Sequence, residues 1–112
     1  MADTAVLIPI NLSANTFTSI YEVPVNKRLV ANINFCNTTT TDAGYFLSFV
    51  PTGESVTAPT SFVEYNQVLK GATGNSESTK LRTGELLPQG TTIVAKSTVT
   101  GVNVVITGAL GN

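Results

Sequence analysis

Arg28–Asn37, RLVANINFCN, is the stretch whose reading decides the fold of this chain. Leu29, Ala31, Ile33 and Phe35 fall on one side of a period of two, and Val30, Asn32, Asn34 and Cys36 on the other. Successive side chains of an extended strand point to opposite faces, so this alternation describes a strand with one face on a core. No segment of the chain sustains a helical period.

Working outward, Thr16–Val23 (TFTSIYEV) predicts a preceding strand that stops at Pro24. Pro24-Val25-Asn26-Lys27 then predicts a turn, because proline presets φ and asparagine tolerates turn geometry. After the polar Thr38–Asp42, the run Tyr45–Val50 (YFLSFV) is apolar on both faces. Such a strand is either central or covered by a partner subunit. Pro51-Thr52-Gly53 ends it with a turn signature, and Ser55–Ser61 is a loop around Pro59. Phe62–Leu69 alternates again. Gly71–Ser76 reads as a flexible connection, and Glu77–Arg82 as a polar strand suited to a sheet edge. Leu86-Leu87-Pro88-Gln89-Gly90 turns the chain into Thr91–Ser97, and Val102–Gly108 is a last strand.

Turn signals roughly every 8–12 residues predict a sandwich or barrel. The expectation is all-β: a single-domain antiparallel β-sandwich of about eight strands, a jelly roll or similar Greek key, spanning residues 1–112. Met1–Ser13 alternates little and is a candidate N-terminal arm, with Ala109–Asn112 a second candidate arm.

Composition narrows the function classes. Charged residues make up 12% of the 112, against about 25% in ordinary domains. Thr, Ser and Asn together supply roughly a third, well above ordinary usage. A surface kept wet by hydroxyls and amides suits close packing against fixed partners. Net charge is −1, and the six basic residues are scattered. Duplex binding needs a basic surface, so direct nucleic-acid binding is not expected. The start of the chain is acidic, and Ala5–Ile10 is short and broken by Pro9. Neither a signal peptide nor a membrane span is expected, which points to synthesis in a cytoplasm.

Chemistry has little to work with. There is no His and one Cys, so transition-metal sites, a Ser-based triad and an activated thiol all lack a member. Cys36 has no disulfide partner within the chain. Thr41-Asp42-Ala43-Gly44 reads as an ordinary turn, not a calcium loop, and Gly71-Ala72-Thr73-Gly74 is no phosphate loop. An enzyme would require Glu22, Glu64, Glu77 and Glu85 to converge in space. A glycan site would require Tyr21, Tyr45 and Tyr65 to form a stacking platform; the competing expectation puts their rings in the core and their hydroxyls at its rim. The Asn-x-Ser/Thr matches at Asn11 and Asn37 carry no meaning without secretion. No catalytic, cofactor-binding or metal residue is therefore assigned.

One set of residues has a family look. Val23-Pro24-x-x-Lys27-Arg28, Asn32-Ile33-x-x-Cys36-Asn37 and Phe49-Val50-Pro51-x-Gly53 come in this order. Glu64-Tyr65, Leu86-x-x-x-Gly90 and Ala95-Lys96-Ser97 follow, before a Val-rich final strand. From Val23 to Gly108 the chain resembles small β-sandwich virion proteins of tailed bacteriophages. The resemblance implies a capsid decoration or cement protein, or else a tail, baseplate or fibre component touching the host surface. It further implies a homo-oligomer, with a trimer favoured, and the major capsid protein or other virion proteins as partners. In that reading the prolines and glycines serve turns, and Cys36 and the aliphatic residues serve packing. A carbohydrate-binding module using Tyr45 or Tyr65 is the alternative of another class.

Overall fold

A computed structural model describes residues 4–72 and 78–111. Eight strands follow one another: β1 (Thr4–Leu12), β2 (Thr18–Glu22), β3 (Arg28–Asn37), β4 (Ala43–Val50), β5 (Phe62–Leu69), β6 (Thr79–Leu87), β7 (Thr92–Ser97) and β8 (Val102–Gly111). They form two antiparallel four-stranded sheets, a first ordered β1-β8-β3-β6 and a second ordered β2-β7-β4-β5. Consecutive strands thus alternate between the sheets at β1–β2, β2–β3, β3–β4, β5–β6, β6–β7 and β7–β8, which is the winding of a jelly roll.

The decisive stretch behaves as its alternation predicts. Leu29, Ala31, Ile33 and Phe35 are fully buried, whereas Val30 is exposed and Asn32, Asn34 and Cys36 are half-buried on the outward face. Opposite them in the second sheet, Tyr45, Leu47, Ile93 and Ala95 complete the core. The Phe35 and Tyr45 rings pack 4.6 Å apart at their centroids. Each large aliphatic or aromatic side chain removed from water here contributes about 1.5–3 kcal/mol.

Two expectations about the chain ends are corrected. Thr4–Leu12 is not an arm within this chain but edge strand β1, in unbroken register with β8 from Thr4↔Leu110 to Leu12↔Val102. Val6, Ile8 and Ile10 lean on the core, while Leu7, Pro9 and Asn11 face out. The alternation was there, with Pro9 concealing it; a proline is tolerated because an edge strand can turn its missing donor toward solvent. Ala109 to Gly111 likewise continue β8 between β1 and β3. The polar strand does lie at an edge, as β6, but it runs on through Leu87. Glu77 and residues 73–76 lie outside the described residues.

Two turn residues of the family-like set act as expected. Lys27 N–H donates to the Pro24 carbonyl at 3.2 Å, and Glu54 N–H to that of Pro51 at 3.1 Å. Asn37 has a role the sequence did not display. It is fully buried, and its amide nitrogen donates to the carbonyls of Thr41 (2.8 Å) and Leu69 (3.1 Å). Its Oδ1 accepts from the Thr39 N–H (3.0 Å) and hydroxyl (2.7 Å). Both ends of the amide are satisfied, so Asn37 ties the β3–β4 loop to the end of β5 instead of projecting into solvent.

Candidate interaction surface

The two outward faces of the sandwich differ, and the difference starts in the strands. On the first sheet, the register aligns outward residues into rows: Ala5, Ala109, Val30 and Leu86; then Leu7, Thr107 and Asn32; then Pro9, Val105, Asn34 and Leu81; then Asn11, Asn103, Cys36 and Thr79. None of these is charged. The charges that the described residues bring to this face are at its end: Arg28 beside Gly111, and Lys27, which lines a depression with Arg28 and Leu86. Four of the eight large hydrophobic residues exposed in the described structure belong to this face: Leu7 (71%), Leu86 (63%), Leu81 (61%) and Val30 (48%). The rows are a neutral mixture of aliphatic groups and amides, and four of their large aliphatic residues are exposed among the described residues.

On the second sheet the outward residues of the middle strands β4 and β7 are largely covered, while the edge strand β5 leaves Tyr65 and Val68 exposed. Ser48, Val50 and Val94 alternate away from the core, yet all are buried. The β4–β5 connection lies over them. Ser48 Oγ donates to the Ser61 carbonyl at 2.7 Å, Pro59 is buried, and Val56 reaches a depression shared with Ser19, Ile20 and Thr92. This settles why β4 is apolar on both faces: it is central in its sheet, and the chain itself supplies its cover.

Beside that cover sits an aromatic cluster. Phe46 packs against Phe17 (6.3 Å between centroids), Phe62 (6.1 Å) and Tyr65 (5.0 Å), and Tyr65 also meets Phe62 at 4.9 Å. The Lys96 amine lies 4.3 Å from the Phe46 ring centre and 4.5 Å from that of Phe17. The three tyrosines do not meet in one platform. Tyr45 is in the core and Tyr21 packs against it, while Tyr65 is 63% exposed and stands edge-on to its neighbours. Edge-to-face rings satisfy one another and close a small apolar layer.

The glutamates divide as well. Glu64 on β5 and Glu85 on β6 both bind Arg82, at 2.8 and 3.1 Å. Because β5 and β6 are edges of different sheets, the guanidinium joins the two layers along one side of the sandwich. Arg82 meets β3 beside a register shift between Ala31 and Ile33, and Gly84 takes φ +69° there, a conformation glycine adopts without steric cost. The guanidinium pKa is raised, chiefly by the Glu64 hydrogen bond. Glu22 is on β2, the opposite edge of the second sheet from Glu64, and Glu77 lies outside the described residues. Burial raises the Tyr45 hydroxyl pKa, with Glu64 adding to the shift and Arg82 opposing it. Among the described residues, no cluster of three or more His, Cys, Asp or Glu side chains is placed to hold a metal ion. Among the described residues no helix is long and apolar enough to cross a membrane.

In comparisons with known proteins, no family model and no curated protein matches this chain.

Proposed function

We propose that this protein is a structural component of a bacteriophage virion, a decoration or cement protein that binds the assembled shell and stabilises it. The observation that carries the reading is the uncharged outward face of the first sheet. Leaving four large aliphatic residues on one flat sheet has a use when another protein covers them. Asn and Thr side chains between them supply hydrogen bonds without the cost of desolvating charge. The phage-like residue pattern supports the same reading, since its prolines lie in turns and its Asn37 in a buried network. Jelly rolls occur among viral capsid domains and also among lectins, so the fold supports the virion at the level of analogy only.

A protein that binds the assembled lattice more tightly than free subunits raises the stability of the shell by mass action. The test is to add the purified protein to undecorated shells of the source phage and follow their thermal disruption. A saturable upward shift, with the protein sedimenting with the shells, is expected. Recovery of the protein only in the tail fraction of dissected particles would move it to the tail, baseplate or fibre.

A further inference from the structure

We infer that the neighbour covering the first sheet is a second copy of this chain, packed face to face about a two-fold axis that runs along the strands. The inference rests on the virion reading, in which another protein of the particle covers this face, and it names that protein as a second copy. Its own support is the register of the face.

A face that meets its own image must keep like charges out of the middle of the contact. This face does so: the charges that the described residues bring to it, Arg28 and the adjoining Lys27, are at one end, beside Gly111 and Leu86. Its size is sufficient. Four strands about 4.8 Å apart and some 30 Å long give about 550 Å² per copy. The two copies together bury about 1,100 Å², just above the roughly 1,000 Å² that a specific interface needs.

The rows also fit one another. Rotation about an axis along the strands, between β8 and β3, places the β1 edge of one copy over the β6 edge of the other. Leu7 is in the row of Thr107 and Asn32, between the row ending in Leu86 and the row ending in Leu81. At that level β6 carries its bulge, where the Gly84 N–H donates to Asn32 Oδ1 at 3.1 Å and open space lies over the glycine. Leu7 of each copy therefore seats between Leu81 and Leu86 of the other, a knob set against a gap, and the two-fold makes the contact twice. The four sheet edges favour this face-to-face mode over edge pairing. β2, β5 and β6 each contain a register shift, and β1 has Pro9 near its middle.

Size-exclusion chromatography with light scattering of the full chain tests this, and a dimer is expected. Leu81→Lys or Leu86→Lys puts two new charges into an isologous contact and should weaken the dimer on the order of 100-fold. Both positions are mostly exposed in the single chain, so far-ultraviolet dichroism should keep its β signature; Leu7→Lys repeats the test on the facing strand. Cys36 supplies a check on the axis. In this arrangement the two Cys36 residues stand about 11 Å apart, one strand spacing sideways and one sheet spacing deep, so a short bis-maleimide should join two chains. A monomer at all concentrations, a trimer, or a dimer indifferent to the three lysine variants would overturn the inference. A dimer whose Cys36 thiols cannot be joined would overturn the axis along the strands. Shell binding reports separately: a monomer that still stabilises shells ends the self-pairing and keeps the virion reading, and a dimer that never binds shells does the reverse.

Discussion

The two sheets have cores of similar make, but the middle strands of the second have an outward cover that the described residues do not give the first. The second sheet buries Ser48, Val50 and Val94 on its outward side because the β4–β5 connection and the Phe46 cluster lie over them. The first sheet sets Val30, Leu7, Leu81 and Leu86 in the same outward sense with no cover from the described residues. The lesson is that an apolar residue on an outward face has no fixed meaning. Its partner is either the chain's own loop or another protein, and only the path of the loops separates the two.

The largest expected effect breaks this contrast directly. Val94→Asp places an unpaired carboxylate beneath the covering connection, at a position that is 0% exposed. A loss of about 3–5 kcal/mol is expected, the range for an uncompensated buried charge. Leu81→Asp, equally outward-facing but on the bare sheet, should change the stability of the single chain by less than about 0.5 kcal/mol. Urea unfolding of the two variants at a concentration that keeps the protein monomeric is the measurement. Equal losses would show that the first sheet is covered in the single chain after all.

Next in size is Phe46→Ala. The side chain is 8% exposed and touches three rings and the Lys96 amine. Truncation should cost about 2–4 kcal/mol, close to a core aromatic, if the cluster is a second small core. It should also speed proteolysis within residues 51–61, which run directly into Phe62 of this layer. A cost below about 1 kcal/mol with intact protease resistance would mean that the rings are a ligand surface and not a structural layer.

How much of this was legible follows from where each signal resides. Strands β3 and β5 were readable to their ends, Arg28–Asn37 and Phe62–Leu69; alternation also gives the buried face of β3, but in β5 two register shifts break it and leave Val63, Tyr65 and Val68 exposed. The β1 strand was not, since Pro9 reads as a breaker until it is known to be at an edge. The uncharged composition was plain, but its concentration on one face needs the strand register, which joins residues as distant as Leu7 and Asn32 through Thr107. The aromatic cluster was hidden for the same reason: Phe17, Phe46, Phe62 and Tyr65 come from three separate stretches, and the tyrosines alone attracted attention. Arg82 with Glu64 and Glu85 carries no local motif across its two strands.

A smaller effect sharpens the contrast along the side of the sandwich. Arg82→Met removes the bridge between the sheet edges and leaves Glu64 and Glu85 without their shared cation. With a third of the Arg82 side chain exposed, solvent screening holds the expected loss to about 1 kcal/mol. A second readout comes from Tyr45. Arg82 opposes the rise in its pKa, so the tyrosinate absorbance should appear at still higher pH in the variant. The sign for folding follows. A folded pKa raised above the unfolded value of about 10 stabilises the fold below that pH and ceases to do so as pH climbs through the folded value. Tyr45→Phe should therefore flatten part of the alkaline loss of stability, and an unchanged alkaline limb would assign that limb to other groups.

The smallest effect separates folding from self-association. Asp42 Oδ1 accepts from the Gly71 N–H at 2.9 Å, which holds the carboxyl below its usual 3.8; desolvation opposes this and Lys70 reinforces it. A depressed folded pKa gives stability that is complete above the unfolded pKa and is lost as pH falls through the folded one. Asp42→Asn should therefore lack that small contribution at neutral pH, converge with the parent in acid, and show a shallower acid limb below about pH 4, as measured by thermal unfolding across pH. The bare face has no carboxylate, lysine or tyrosine in its rows, so nothing there titrates in this range. Association of the chain should stay constant down to the pH at which folding itself begins to fail. If it instead fell away while the fold remained intact, the contact would depend on carboxylates, and among the described residues those lie off the rows of this face.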